Sequence, residues 1–114
     1  MLRSFFGSIS DKGRDQLSQS LLRRLGYYFA NNGNYDKSMP LFFELAKKNP
    51  LPDSSDVSTL VNLPGASENK LIIEWMIKQA KSSKGEIQVR WLELLNYIKQ
   101  PQAVIDIIEE AKIE

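Results

Sequence analysis

The sequence predicts an all-α protein built from antiparallel helical hairpins. Apolar residues recur at helical spacing through most of the chain, and the breaks between these stretches are short and rich in Gly, Asn or Pro. Few stretches alternate apolar and polar residues as a half-buried strand does, so no sheet is predicted. The pattern predicts six helices, at residues 11–31, 35–48, 55–63, 67–83, 86–99 and 101–112.

The first hairpin is the clearest part of the pattern. One face of its first helix carries four apolar residues, Leu22, Leu25, Phe29 and Ala30, and its second helix carries four more, Met39, Phe42, Phe43 and Ala46. The turn between them is the tripeptide Asn32-Gly33-Asn34, whose residues tolerate a left-handed backbone. So short a turn makes the two helices antiparallel.

A glycine within the first helix indicates a close helix crossing. Gly26 costs about 1 kcal/mol relative to Ala in a helix interior, so its presence is best explained if a partner helix leaves no room for a side chain. Ser38, a small residue on the second helix, is expected to lie opposite it. Pro50 then ends the second helix because it cannot donate the next backbone hydrogen bond.

Together these residues form the string Leu22-x-x-Leu25-Gly26-x-x-Phe29, Ser38-x-x-x-Phe42 and Pro50, which resembles the tetratricopeptide repeat (TPR). That pattern has an aromatic residue, Leu-Gly, Tyr, Ala, Phe and Pro at the same places. Leu22, Phe29 and Ser38 depart from it in identity while keeping roughly the required size. The resemblance implies a short right-handed solenoid of about three repeats, with a concave face lined by the first helix of each pair. An ordinary helical hairpin in an all-α domain is the alternative.

Two further units follow, with weaker resemblance. In the second, Asp53, Ser54 or Ser55 caps a short helix that ends before Pro64-Gly65, and a longer helix carries the apolar stripe Leu71, Ile72, Trp75, Met76, Ile77 and Ala80. A shift of 34 residues, the repeat period, places Phe42 on Met76 and Ala46 on Ala80. The third unit carries two apolar sets, Trp91, Leu94, Leu95 and Ile98, then Val104, Ile105, Ile107, Ile108 and Ala111. The units therefore span about residues 17–50, 53–84 and 86–114.

The length of 114 residues fits a single domain over 11–114, preceded by a lead-in segment at 1–10. The lead-in is expected to pack on the first repeat or to be the boundary of a longer protein. It is too broken by Gly7 and serines to be a signal peptide core, and no stretch has the length of a membrane span. If the chain is complete, these features favour a cytoplasmic location.

Composition argues against catalysis, metal binding and nucleic-acid binding. The chain has no Cys and no His, so the commonest metal ligands and the commonest general base are missing. The closest carboxylate pairs, Asp53 with Asp56, Glu86 with Glu93 and Glu109 with Glu110, are expected to be exposed charges. With 15 basic and 14 acidic residues, the net charge of +1 gives no electrostatic reason to expect nucleic acid. No enzyme activity and no cofactor are predicted, and Trp75 and Trp91 are interpreted as core residues.

The predicted function is a non-catalytic protein-protein interaction module, free-standing or part of a longer TPR array, that binds a peptide or partner protein in the concave groove. The expected contact residues are Arg23, Arg24, Tyr27, Asn31, Leu92 and Asn96. The alternative is a structural or capping unit that only stacks on neighbouring repeats, or self-associates through its C-terminal helix. The isoleucines at 105, 107 and 108 favour that alternative, because they exceed what one buried face needs.

Overall fold

The structure is a computed structural model that describes residues 11–113, with side chains described for residues 18–111. Residues 11–113 form six α-helices and one 3-10 turn, in the order α1 Asp11–Asn31, α2 Tyr35–Lys48, α3 Ser55–Asn62, the turn Ala66–Glu68, α4 Lys70–Ser82, α5 Gly85–Tyr97 and α6 Pro101–Ile113. Residues 11–113 contain no strand, which confirms the all-α prediction. The predicted lead-in at 1–10 lies outside the described residues.

Helices α1 and α2 form the predicted antiparallel hairpin around a close crossing at Gly26. Gly33 has φ of +74° in the connecting turn, where the amide of Asn34 donates to the carbonyl of Phe29. The hydroxyl of Ser38 donates to the carbonyl of Gly26 at 2.8 Å, and Ser38 is fully buried. The Phe42 ring fills the space where a side chain at Gly26 would lie. The predicted close approach is confirmed.

The predicted apolar row of α1 packs against the core only in part. Leu22 and Ala30 pack against the core as predicted, but Leu25 is 45% exposed. Because α2 packs directly over Gly26, the row that faces it passes through position 26, and Leu25 is rotated about 100° away from that row. The prediction of Leu25 as a core residue was wrong.

The junction between α3 and α4 is less regular than predicted. Ser54 caps α3 by accepting hydrogen bonds from the amides of Asp56 and Val57. The predicted helix over 67–83 is divided, because the 3-10 turn ends at Glu68 and α4 begins only at Lys70. Asn69 separates them: its side chain accepts from the amide of Ile72 and so caps α4.

The row of α4 residues that is buried in the core is narrower than the predicted apolar stripe. Ile72, Met76 and Ala80 are fully buried, at the i, i+4 and i+8 positions of one face. Leu71 precedes that face and is 68% exposed, so its predicted place in the stripe was wrong. Trp75 is half-buried and meets the ring of Trp91 edge to face, with 5.5 Å between ring centroids.

Helices α5 and α6 close the described part of the chain. Trp91, Leu95 and Ile98 are buried, and the turn to α6 passes through Lys99 with φ of +64°. Among residues 101–111, the part of α6 whose burial is described, Ile107 alone is buried, while Ile105 and Ile108 are 47% and 41% exposed. The described core is therefore built mainly from α2 to α5, with Ile107 from α6 and the half-buried Leu22 and Ala30 from α1 at its two ends.

Candidate interaction face

Helix α3 is joined to α1 by an ion pair. The guanidinium of Arg23 donates from Nε to Asp56 Oδ1 at 3.0 Å and from Nη2 to Asp56 Oδ2 at 2.9 Å. The side chain of Asp56 is 5% exposed and that of Arg23 38% exposed. The hydrogen bond with Asp56 raises the pKa of Arg23, against the opposing effect of burial. This two-point geometry holds Arg23 against α3.

A tyrosine one turn further along α1 makes a second contact with α3. The hydroxyl of Tyr27 lies 3.4 Å from that of Thr59, and its ring meets Phe42 edge to face at 5.0 Å. Arg23 and Tyr27 thus meet Asp56 and Thr59 in the same chain order. Helices α1 and α3 therefore run in the same direction, side by side.

Helix α3 and the residue just before it are joined to α5 by the same two residue types. The guanidinium of Arg90 donates to the Asp53 carboxylate, just before α3. The hydroxyl of Tyr97 donates to the side-chain carbonyl of Asn62, the last residue of α3. These pairs also follow the same chain order, so α5 runs parallel to α3. The three helices form one layer, whose open side we name the α1–α3–α5 face.

A groove of about 600 Å³ lies on this face, between α5 and the segment that leads into α3. Its lining consists of eight residues, Pro52, Asp53, Glu86, Val89, Arg90, Glu93, Leu94 and Tyr97. Four of them, Glu86, Arg90, Glu93 and Tyr97, recur at spacings of three and four, so they form one row along α5. The groove combines exposed apolar side chains with charged ones.

The six residues predicted from the sequence do not meet at this groove. Arg23 and Tyr27 lie against α3, while Arg24 and Asn31 are exposed on α1. Leu92 is half-buried against the core, and Asn96 is exposed. Leu92 and Asn96 lie four residues apart on a different row of α5 from the groove residues. Arg23, Tyr27 and Asn31 therefore follow one row of α1, on which the first two contact α3, whereas Leu92 and Asn96 lie on another helix.

Sequence reasoning missed Arg90 and Tyr97, and it treated Asp56 as an exposed charge. Asp56 is instead buried, because Arg23 neutralises it. A signal was present in the sequence: an Arg followed by a Tyr occurs on α1 and again on α5, and two Asp residues precede or begin the helix between them. Which Arg pairs with which Asp depends on the order in which the helices lie side by side, and the sequence does not give that order.

Other classes of site receive no support from the described residues. No group of three or more His, Cys, Asp or Glu side chains among them is placed to hold a metal ion. Across residues 11–113, none of the helices combines the length and the apolar character that crossing a membrane requires.

Comparison of the chain with protein-family models, curated proteins and solved structures gives no match.

Proposed function

We propose that the chain is a non-catalytic protein-protein interaction module that binds a peptide or partner protein on the α1–α3–α5 face, as a short TPR-like solenoid. The observation that carries the proposal is that α1, α3 and α5 run in the same direction, with an Arg and a Tyr of α1 and of α5 in contact with α3 or the residue just before it. Stacked hairpins of this kind present an extended surface built from one helix per unit.

Two tyrosines on this face support the proposal energetically. Tyr27 and Tyr97 are 45% and 60% exposed, yet each is held by a hydroxyl contact with α3. A held aromatic side chain loses little conformational entropy on binding, and Tyr is enriched among residues that dominate interface energies. The face therefore offers two pre-positioned aromatic anchors to a partner.

A peptide-display selection against the full chain tests this proposal. Selected peptides are titrated into isotopically labelled protein, and shifted amide resonances are mapped by NMR. We expect the shifts to cluster on α1, α3 and α5. Tyr27→Ala and Tyr97→Ala are each expected to weaken binding by more than about 1 kcal/mol.

Tyr28→Ala is the matched control, because Tyr28 is 61% exposed, adjacent in sequence and on another side of α1. Thermal melts of all three variants separate lost binding from lost folding. Binding that is unchanged in the Tyr27 and Tyr97 variants, with shifts confined to α6, would overturn the proposal.

One observation favours the second candidate, a structural unit that stacks on neighbouring repeats or self-associates. Ile105 and Ile108 are 47% and 41% exposed on α6, where they lie one turn apart on a surface that no described helix covers. Exposed neighbouring apolar residues of this kind are typical of contact surfaces. The mapping experiment distinguishes the two candidates by which helix responds.

A further inference from the structure

The groove between α5 and the start of α3 has an uneven charge. Three carboxylates border it, those of Asp53, Glu86 and Glu93, against one guanidinium, that of Arg90. Arg90 is paired with two of them, Asp53 and Glu86, the latter at 3.5 Å. Glu93 is exposed and makes no ion pair with any residue in the described part of the chain. The groove is therefore net negative although the whole chain carries a charge of +1.

Apolar surface lies between these carboxylates. Val89 is 51% exposed and Tyr97 60% exposed, and both line the groove together with the half-buried Leu94 and the buried Pro52. An apolar side chain of a partner that covered this surface would remove it from water, and the hydrophobic effect would stabilise the complex. The volume of about 600 Å³ is of the size that takes a few side chains rather than a folded domain.

We propose that this groove binds a short cationic segment of a partner protein, in which Lys or Arg residues flank an apolar side chain. The apolar side chain contacts Val89 and Tyr97, and the flanking cations lie beside Glu86 and Glu93. An acidic segment would meet like charges at the same positions, which opposes its binding. This inference rests on the proposed function and adds the chemistry of the partner to it.

The probe is a labelled synthetic peptide, Gly-Lys-Lys-Leu-Lys-Lys-Gly, titrated against the full chain by fluorescence anisotropy at low and high salt. Two companion peptides replace every Lys by Glu, or the Leu by Ser. We expect the Lys-Leu peptide to bind measurably, both companions to bind more weakly, and added salt to weaken binding by screening the exposed charges.

Variants of the protein locate the binding. Glu93→Gln is expected to weaken binding of the Lys-Leu peptide about two- to fivefold at low salt, the range for one exposed ion pair. Its matched control is Glu109→Gln, an identical charge change at an exposed position of α6. Val89→Ser is expected to weaken binding of the Lys-Leu peptide and to leave the already weak binding of the Ser-containing companion unchanged.

Equal weakening by Glu93→Gln and Glu109→Gln, or preferential binding of the Glu-containing peptide, would overturn the inference. Dimerisation of the wild-type chain that Val89→Ser abolishes would also overturn it, because a second copy of the chain would then fill the groove.

Failure of this inference is distinct from failure of the proposed function. Display-selected peptides that bind the α1–α3–α5 face but carry no excess of Lys and Arg would overturn only the partner chemistry, whereas absence of any binder to that face would overturn both.

Discussion

At the scale of single residues, Gly26 controls how closely α1 and α2 approach. A Cβ added at Gly26 would lie 2.6 Å from Phe42 Cε2 and 2.9 Å from its Cζ. The Phe42 ring cannot move away easily, because it is fully buried and packs against Tyr27. We therefore expect Gly26→Ala to destabilise the protein by about 1–3 kcal/mol through overpacking. Urea unfolding monitored by circular dichroism measures this change.

The sign of this effect is informative, because the same substitution in an uncrowded helix stabilises by about 1 kcal/mol. A Phe42→Leu background serves as the control. With the ring removed, Gly26→Ala is expected to be neutral or stabilising, since the space that the ring occupied is then available. If Gly26→Ala raised the free energy of unfolding of the otherwise wild-type protein, α1 and α2 would not cross closely at Gly26.

At the scale of elements, the Arg23–Asp56 pair joins α1 to α3, an eight-residue helix too short to be stable alone. Arg23→Met leaves a carboxylate that is 5% exposed without its partner. We expect a loss of about 1–3 kcal/mol, less than for a fully buried pair because water reaches the site from the exposed side of Arg23. A shift of the urea midpoint with unchanged slope measures it.

Two comparisons make this test specific. Arg24→Met removes a neighbouring exposed cation and is expected to change stability by less than about 0.5 kcal/mol. Adding Asp56→Leu to Arg23→Met is expected to recover most of the loss, because no buried charge then remains unpaired. If Arg23→Met and Arg24→Met were equally mild, the pair would contribute nothing to joining α1 and α3.

At the scale of the whole molecule, the exposed isoleucines of α6 are expected to produce weak self-association. Ile105 and Ile108 offer apolar surface to a second copy, but two side chains are far fewer than a stable dimer interface contains. Sedimentation equilibrium over a range of concentrations is expected to show a dimer only at the highest ones, and Ile105→Ser with Ile108→Ser is expected to abolish it.

Leu71→Ser is the control for that experiment, because Leu71 is 68% exposed on α4, so its replacement lowers surface hydrophobicity without changing α6. It is expected to leave the association unchanged. A wild-type chain that stays monomeric at every concentration would remove self-association as a role for α6. Loss of the dimer in the Leu71 variant would place the contact on α4 instead.

The sequence by itself determined the helices, their breaks and the first hairpin. Periodic apolar residues, the cap at Ser54 and the turn at Gly33 act within a few residues of the chain, so their effects can be worked out locally. The close crossing at Gly26 was also predictable, since a glycine at a costly position requires a compensating contact. The division at Asn69 was missed because a one-residue cap resembles the start of a longer helix.

Tertiary structure alone decided which residues of each helix meet across the molecule. A helical residue turns about 100° from its predecessor, so a small rotation set by packing exposes Leu25 and Leu71 although both fit the apolar pattern. The same choice pairs Arg23 with Asp56, 33 residues away, and directs the row with Arg90 and Tyr97, not the row with Leu92 and Asn96, into the groove. Such pairings depend on which distant helices lie side by side, because a buried charge is stable only where its partner is brought to it.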